Sequence, residues 1–309
     1  MNHLNSHRFG SASPPASLLY DNVLAMYSLR RPNMTTAWTK AVLRASIEGT
    51  NKRKYIFFDT NGVISLSSLV GDDYTTASAE TLATWGGTDT VLVKDWIAIT
   101  PNNTVNEYLM LQSLDQFDVR NPVLMISGSI LLSNSKPTLS FQKTTIQEMT
   151  AKAQGLSGMS YSDYFSVISV TENKKPLSTG KFFTNAASGG LYFHHDTSAY
   201  KTMLTIPPSS VVYTNANVTV DQQRTHLITH TPVVAPTQAV VKGYHNNLLQ
   251  NTLYAYTSFN NQGLKIGGET QISSNIFVGN ISEIIIMDED VSSSYTTYFN
   301  EVNSYYQTY

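Results

Sequence analysis

The chain has 309 residues, a formal net charge of −2, only 14% charged residues and no cysteine. This balance argues against nucleic acid or an anionic membrane as the main partner, and it excludes disulfides, cysteine catalysis and thiolate metal sites. The 41% of hydrophobic residues can fill the core of one large domain, while no run of 18 apolar residues predicts a membrane span.

The N-terminal segment, residues 1–17, is polar and rich in Ser, Pro and Gly. We interpret it as an extended arm, separate from one domain that spans residues 18–309. An arm of this kind cannot offset its own ordering entropy, so we expect a neighbouring subunit, in a homo-oligomer, to hold it. Residues 1–16 also lack the apolar region of a secretory signal peptide.

Helical patterns are few. Ser17 is a candidate cap for a short helix that runs to Tyr27 and places Leu18, Leu19 and Val23 near one face. One or two helical turns are expected at 65–70 and at 78–84, and a polar helix is expected to end at Tyr305-Tyr306.

Most of the chain reads as short strands separated by turn residues. The expected strands are 40–47, 54–58, 91–96, 123–132, 138–142, 165–170, 181–183, 190–194, 200–206, 211–220, 225–231, 238–243, 252–256, 264–268 and 275–287. Strand-length runs at this spacing favour an all-β antiparallel sandwich over parallel βαβ units. His245-Asn246-Asn247 suits a turn that requires positive φ.

Several blocks then carry a family resemblance in their order along the chain. They are Ala25–Arg30, Ala41–Ser46, Asn61–Gly71, Val93–Trp96, Pro122–Gly128, Lys136–Phe141, Ile266–Gly268 and Phe277–Glu283. Together they resemble concanavalin A-like, laminin-G-like sandwich proteins of tailed bacteriophage virions, a group similar to the catalytic region of arabinofuranosidases. The resemblance covers about residues 18–309 and implies a concanavalin A-like jelly roll with a few short helices.

One block departs from that family. After the tryptophan the family has a polar Tyr-Asp-Gln-Ser-Gly loop, whereas this chain has Ile97-Ala98-Ile99 after Trp96. Apolar residues thus replace polar groups that could bind a sugar or a metal. No catalytic residue is therefore carried over from the family, and we expect a protein that is not an enzyme.

Acidic residues give no convincing catalytic pair. A glycosidase needs two carboxyl groups about 5–5.5 Å or about 6.5–9.5 Å apart, and no sequence spacing pairs two of the candidates in this way. Glu283 is expected to be a hydrogen-bonding residue on a sheet face. The candidates are Asp95, Glu107, Asp115, Asp118, Asp196, Asp221, Glu269 and Glu283.

The sequence gives equally weak indications of a metal site. His226 and His230 would lie roughly 13 Å apart along a strand, and His194 and His195 would point to opposite faces, which argues against zinc. Calcium is left open at Asp72-Asp73 and at 288–290, although the second group precedes the closing helix and is expected to favour its N-terminus, with a serine as cap. No catalytic, cofactor-binding or metal residue is therefore assigned.

Three functions follow as hypotheses. The first is a structural virion subunit of the tail, baseplate, fibre or head decoration, made in the host cytoplasm and acting by assembly with other virion subunits. The second is a carbohydrate-binding module for host-surface glycans, and the third is a glycoside hydrolase. The tyrosines 305, 306 and 309 are expected to dock on the sandwich or on a neighbour.

Overall fold

The computed structural model defines the fold over most of the chain. It describes residues 20, 23–113, 121–141, 147, 149–151, 163–174, 181–184, 192–196, 201–206, 210–217, 221–234, 238–255, 264–267 and 277–309. The predicted arm at 1–17 and the candidate acids Asp115, Asp118 and Glu269 lie outside these ranges. At 181–184, 192–196, 201–206 and 210–217 only the backbone is described.

Strands dominate the described residues, and every pairing between them is antiparallel. The strands are β1 (Val23–Ser28), β2 (Leu43–Ile47), β3 (Arg53–Ile56), β4 (Val70–Gly71), β5 (Val91–Trp96), β6 (Leu111–Ser113), β7 (Val123–Ile126), β8 (Ser129–Ile130), β9 (Leu132–Ser133), β10 (Lys136–Pro137), β11 (Leu139–Phe141), β12 (Met149–Thr150), β13 (Phe165–Asn173), β14 (Lys181–Thr184), β15 (Tyr192–Asp196), β16 (Lys201–Ile206), β17 (Ser210–Asn217), β18 (Gln223–Val234), β19 (Gln238–His245), β20 (Leu248–Ala255), β21 (Lys265–Ile266) and β22 (Gly279–Met287). The helices are α1 (Leu82–Gly86) and α2 (Tyr295–Tyr306), with 3-10 turns at Glu107–Leu109 and Val291–Ser293. The predicted all-β sandwich with short helices is confirmed.

The last strand, β22, lies at the centre of the sheet. It pairs with β13 along one side, and with β11 and then β1 along the other. All nine of its residues are buried, which matches its run of three consecutive isoleucines, Ile284 to Ile286. Near-continuous β-branched runs of this kind are typical of strands covered on both faces.

Two series of strands extend from this centre. One runs from β13 through β18 and β19 to β20. The other runs from β11 through β7, β5 and β2 to β3 and β4. A side branch leaves β5 at β6 and continues through β12, β21 and β14 to β17. One contiguous core joins these series, with Trp38, Trp96, Phe141, Phe165 and Phe299 among its largest buried side chains.

The helix predicted from Ser17 to Tyr27 is wrong where the structure describes it. Residues 23–28 form β1, and their backbone pairs with β22. A short apolar run has no clear period, so a buried strand and a helix look alike in sequence. Here the hydrogen-bonding groups of β22 decide the outcome in favour of the strand.

Three smaller expectations have mixed outcomes. The turn after β19 is confirmed, since Asn246 and Asn247 have φ of 44° and 65°. The helical turns predicted at 78–84 lie further along the chain, because Thr81 caps α1 by accepting a hydrogen bond from the Thr84 amide. Residues 65–70 form a turn that leads into β4 rather than a helix.

Candidate functional site

Two carboxylates meet at one buried guanidinium where β1, β22 and α2 come together. Arg30 donates to Glu283 from Nε (3.1 Å) and from Nη2 (3.0 Å). It also donates to Glu301 from Nη1 (2.6 Å) and Nη2 (2.9 Å). Arg30 thus forms bidentate hydrogen bonds with both glutamates, a geometry that its planar guanidinium favours.

Hydroxyl groups and rings complete this site. The Tyr20 hydroxyl donates to Glu301, and the Ser28 hydroxyl donates to Glu283 at 2.8 Å. The Arg30 guanidinium carbon lies 5.2 Å from the centre of the Tyr305 ring, within cation–π range. We call the set Tyr20, Arg30, Glu283, Glu301 and Tyr305 the Arg30 cluster.

Burial sets the charges of the Arg30 cluster. The side chain of Glu283 has no exposed surface, that of Arg30 is 7% exposed, and that of Glu301 is 23% exposed. Burial opposes the charge of Arg30, but Glu283, Tyr306 and Tyr305 together outweigh that effect and raise the pKa of the guanidinium. Since one guanidinium balances one carboxylate, the second is left in excess, and burial raises the pKa of Glu301 to about 8.

The sequence singled out Glu283 but gave no signal for its partners. Arg30 lies 253 residues before Glu283. Glu301 is the only acidic residue of α2, which is the one feature that could have drawn attention to it. Since both carboxylates are engaged by Arg30, the arrangement is suited to joining three elements.

The segment after Trp96 is part of the core. Ile97, Ala98 and Ile99 are at most 1% exposed. The Ile99 amide donates to the Met26 carbonyl (2.8 Å) and the Met26 amide donates back (3.0 Å), while the Ile97 amide donates to the Val42 carbonyl (2.8 Å). An isolated antiparallel bridge between Ile99 and Met26 therefore joins the segment to β1.

The other candidate acids have separate partners. Asp95 on β5 is buried against Arg44; burial raises the pKa of Asp95, and Arg44 acts against the rise. Asp221 pairs with Lys174 at 2.9 Å, and Glu107 lies exposed in a 3-10 turn. Asp221 shares Lys174 with Glu172, whereas Glu283 and Glu301 share the buried Arg30.

The histidines of β18 are buried in two different settings. His230 stacks on Phe165, with 4.6 Å between ring centres, and its Nδ1 lies 2.9 Å from the Asp163 carbonyl oxygen. His226 contacts the ring of His245 at 5.1 Å. The described residues contain no group of three His, Cys, Asp or Glu side chains able to hold a metal.

His245 lies beside a buried cation. Its Nε2 is 2.9 Å from Nη1 of Arg224. Burial, together with the charge of Arg224, lowers the pKa of His245 to about 4. The imidazole is therefore neutral at physiological pH.

Protein donors bind Asp72, Asp73 and Asp290, three of the carboxylates considered for calcium. Asp72 pairs with Lys54 at 2.8 Å, and Asp73 accepts from the Thr75 amide (2.7 Å). Asp290 caps the 3-10 turn before α2 by accepting from the Ser292 amide (2.8 Å). Ser294 occupies the N-cap position of α2, as predicted, but its side chain makes no cap hydrogen bond.

No helix in the described part of the chain is long and apolar enough to cross a membrane.

Comparison with known proteins identifies the fold. No protein-family model and no curated protein matches the chain. Solved structures do match. A GH54 α-L-arabinofuranosidase soaked with a cyclic sulfate inhibitor aligns with a TM-score of 0.62 at 12% identity, over 93% of this chain and 63% of that one.

Two further structures agree. A mutant of the GH54 enzyme soaked with 4-nitrophenyl α-L-arabinofuranoside gives a TM-score of 0.62 at 11% identity, and an arabinofuranosidase complexed with arabinofuranosyl-α-1,2-xylobiose gives 0.58 at 10%. Each alignment covers 93% of this chain and 63% of the other. The chain thus spans under two thirds of these enzymes, and the likeness shows that it shares their β-sandwich fold.

Proposed function

We propose that the chain is a non-enzymatic structural subunit of a bacteriophage virion that acts by assembling with other subunits. The observation that carries this proposal is the burial of Ile97, Ala98 and Ile99. In the virion and arabinofuranosidase group that the chain resembles, the same place holds a polar loop.

The chemistry of that segment argues for a scaffold. A sugar-binding loop must present hydroxyl, amide or carboxylate groups, whereas Ile97 and Ile99 each contribute about 1.5–3 kcal/mol of hydrophobic stabilisation to the core. The backbone bonds to Met26 and Val42 fix the segment further. A loop used in this way stabilises the sandwich and cannot present a site.

The charged groups give a second line of support. Glu283 and Asp95 are buried acids, and each has an arginine partner, Arg30 or Arg44. A carboxylate held in this way would have to leave its partner before it could act on a substrate, and an unpaired buried charge costs about 3–5 kcal/mol. These acids therefore serve the architecture.

Sedimentation velocity measures the oligomeric state of the full chain and of a variant lacking residues 1–17. Copurification with virion particles measures whether each protein enters the assembly. We expect the full chain to form a discrete oligomer and to enter particles, and the truncated chain to do neither. If the truncated protein assembles normally, residues 1–17 are not required for assembly. A full chain that stays monomeric and never copurifies with particles would overturn the proposal itself.

The likeness to arabinofuranosidases over 93% of the chain favours a second candidate, a module that binds or cleaves arabinose-containing glycans. Release of nitrophenol from 4-nitrophenyl α-L-arabinofuranoside tests cleavage, with Glu269→Gln and Asp196→Asn as variants and the exposed Glu107→Gln as the matched control. Turnover that is lost in either variant and kept in the control would replace the structural proposal. Binding on a glycan array without turnover, measured with and without calcium, would support the carbohydrate-binding alternative.

A further inference from the structure

We propose that the Arg30 cluster is a pH-sensitive latch, which holds α2 on the sandwich most strongly at acidic pH and loosens progressively as the pH rises. The inference is independent of the proposed assembly role. Two carboxylates, on β22 and α2, share one guanidinium in a buried site.

The charge count of the site depends on one proton. With Glu283 ionised and Glu301 protonated, the charges of Arg30 and the glutamates cancel. When Glu301 also ionises, the buried site carries one uncompensated negative charge, which is costly in a poorly hydrated environment. Glu301 is the more exposed of the two glutamates, so it is the one that can exchange a proton with water.

Each neighbouring element contributes titratable or charged groups to the latch and its surroundings. From the N-terminal side these are Tyr20, Arg30 and Asp59, from β10 and β22 they are Lys136 and Glu283, and from α2 they are Glu301, Tyr305 and Tyr306. Lys136 lies 4.3 Å from the centre of the Tyr305 ring. Burial raises the pKa of Tyr305 to about 12, so this hydroxyl keeps its proton through the pH range concerned.

The pKa of Glu301 gives the direction of the effect. Its folded value of about 8 lies above the ordinary 4.5, because of burial. The folded chain therefore holds the proton where the unfolded segment has lost it, and the stabilisation is complete below about pH 4.5. It declines as the pH rises towards 8, so the latch weakens on the alkaline side.

Release would expose an aromatic surface. The face of α2 that packs on the sandwich carries Tyr298, Phe299, Val302 and Tyr306, all buried. The side-chain amide of Asn134, outside the helix, donates a hydrogen bond to the Tyr306 carbonyl at 2.6 Å. Release of α2 must therefore break this bond as well.

Hydrogen exchange of the α2 amides, corrected for the intrinsic rate at each pH, tests the latch on the full chain. Between pH 6.5 and 8 we expect the opening constant to rise by up to about tenfold per pH unit, the limit set by loss of one proton. The amides of β13 should stay unchanged. In Glu301→Gln, which keeps an acceptor for Arg30, the dependence should vanish, and in the control Glu289→Gln it should persist.

Three results would overturn the latch. These are an unchanged slope in Glu301→Gln, a flat profile in the unmodified chain, and equal changes in β13, which would mean global unfolding. If Glu301→Gln does not fold, a pH titration of the carboxyl carbon NMR signal of Glu301 in the unmodified chain tests the latch instead. A midpoint near pH 8 supports the latch, and a midpoint near 4.5 excludes it.

Discussion

Arg30 illustrates how a single residue makes a buried acid tolerable. Glu283 has no exposed surface and would be strongly destabilising if left alone as an anion. Arg30 and Ser28 donate three hydrogen bonds to it, and the Tyr305 ring covers the guanidinium. The group is therefore a stabilising contact only while all its members are present.

Removing the cation should show this dependence. In Arg30→Met the guanidinium is lost while the buried carboxylate remains, so we expect a loss of about 3–5 kcal/mol in the free energy of unfolding. The matched control is Lys54→Met, whose partner Asp72 is 88% exposed and whose loss should cost less than about 1 kcal/mol. Urea denaturation of both variants measures the difference, and similar losses in the two would contradict the role of Arg30.

His245 should control stability on the acidic side. Its folded pKa of about 4 lies below the ordinary 6.5, because burial and Arg224 disfavour the charged form. Between these values the unfolded chain binds the proton and the folded chain does not, so stability falls as the pH drops from 6.5 to 4, by at most about 1.4 kcal/mol per pH unit.

The variant that tests this is His245→Gln, whose side-chain oxygen can still accept from Arg224. The decline in the urea midpoint below pH 6.5 should be shallower in this variant than in the original chain. Parallel curves for the two proteins would show that another group, such as His230, whose pKa burial also lowers, governs the acidic range.

At the scale of elements, sequence patterns predict several strands but misassign the first one, β1. The strands β5, β13 and β18 follow from β-branched runs between turn residues. The region of β1 was predicted as helix, because nothing in Val23–Ser28 reveals that β22, more than 250 residues later, will supply its backbone partners. The Arg30 cluster was hidden for the same reason, since its contacts exist only once those strands pair.

Gly267 shows that one of the blocks behind the family resemblance is required by packing. Its φ is 85°, and a Cβ there would lie 2.3 Å from Cε1 of Phe141 and 2.5 Å from the Gln147 carbonyl oxygen. At Gly49, with φ of 73°, a Cβ would meet nothing within 4 Å.

The pair of variants separates backbone strain from steric overlap. Gly49→Ala should cost about 1–2 kcal/mol, the penalty of a left-handed backbone, and Gly267→Ala about 3 kcal/mol or more. Thermal unfolding monitored by circular dichroism measures both. Equal losses would mean that the close approach at Gly267 can relax.

At the scale of the whole molecule, the central position of β22 ties the folding of the sandwich to the end of the chain. The strands β1, β11 and β13 all use it as a partner, so none of these pairings forms before residue 287 is available. Long-range pairings of this kind make folding slow and cooperative, because loop-closure entropy is lost before contacts compensate it.

Truncation from the C-terminus should therefore have a sharp threshold. A chain ending at residue 263 lacks β21, β22 and α2, and we expect it to show no cooperative urea transition and no near-ultraviolet circular dichroism. A chain ending at residue 294 keeps β22, so it should unfold cooperatively at a lower urea midpoint, since it loses Glu301 and the buried face of α2. The variant Lys54→Met, whose partner Asp72 is 88% exposed, serves as the control, with a midpoint close to that of the full chain. A cooperative transition in the chain ending at 263 would show that the two series of strands fold without β22, and the sandwich would then be an assembly of separable units.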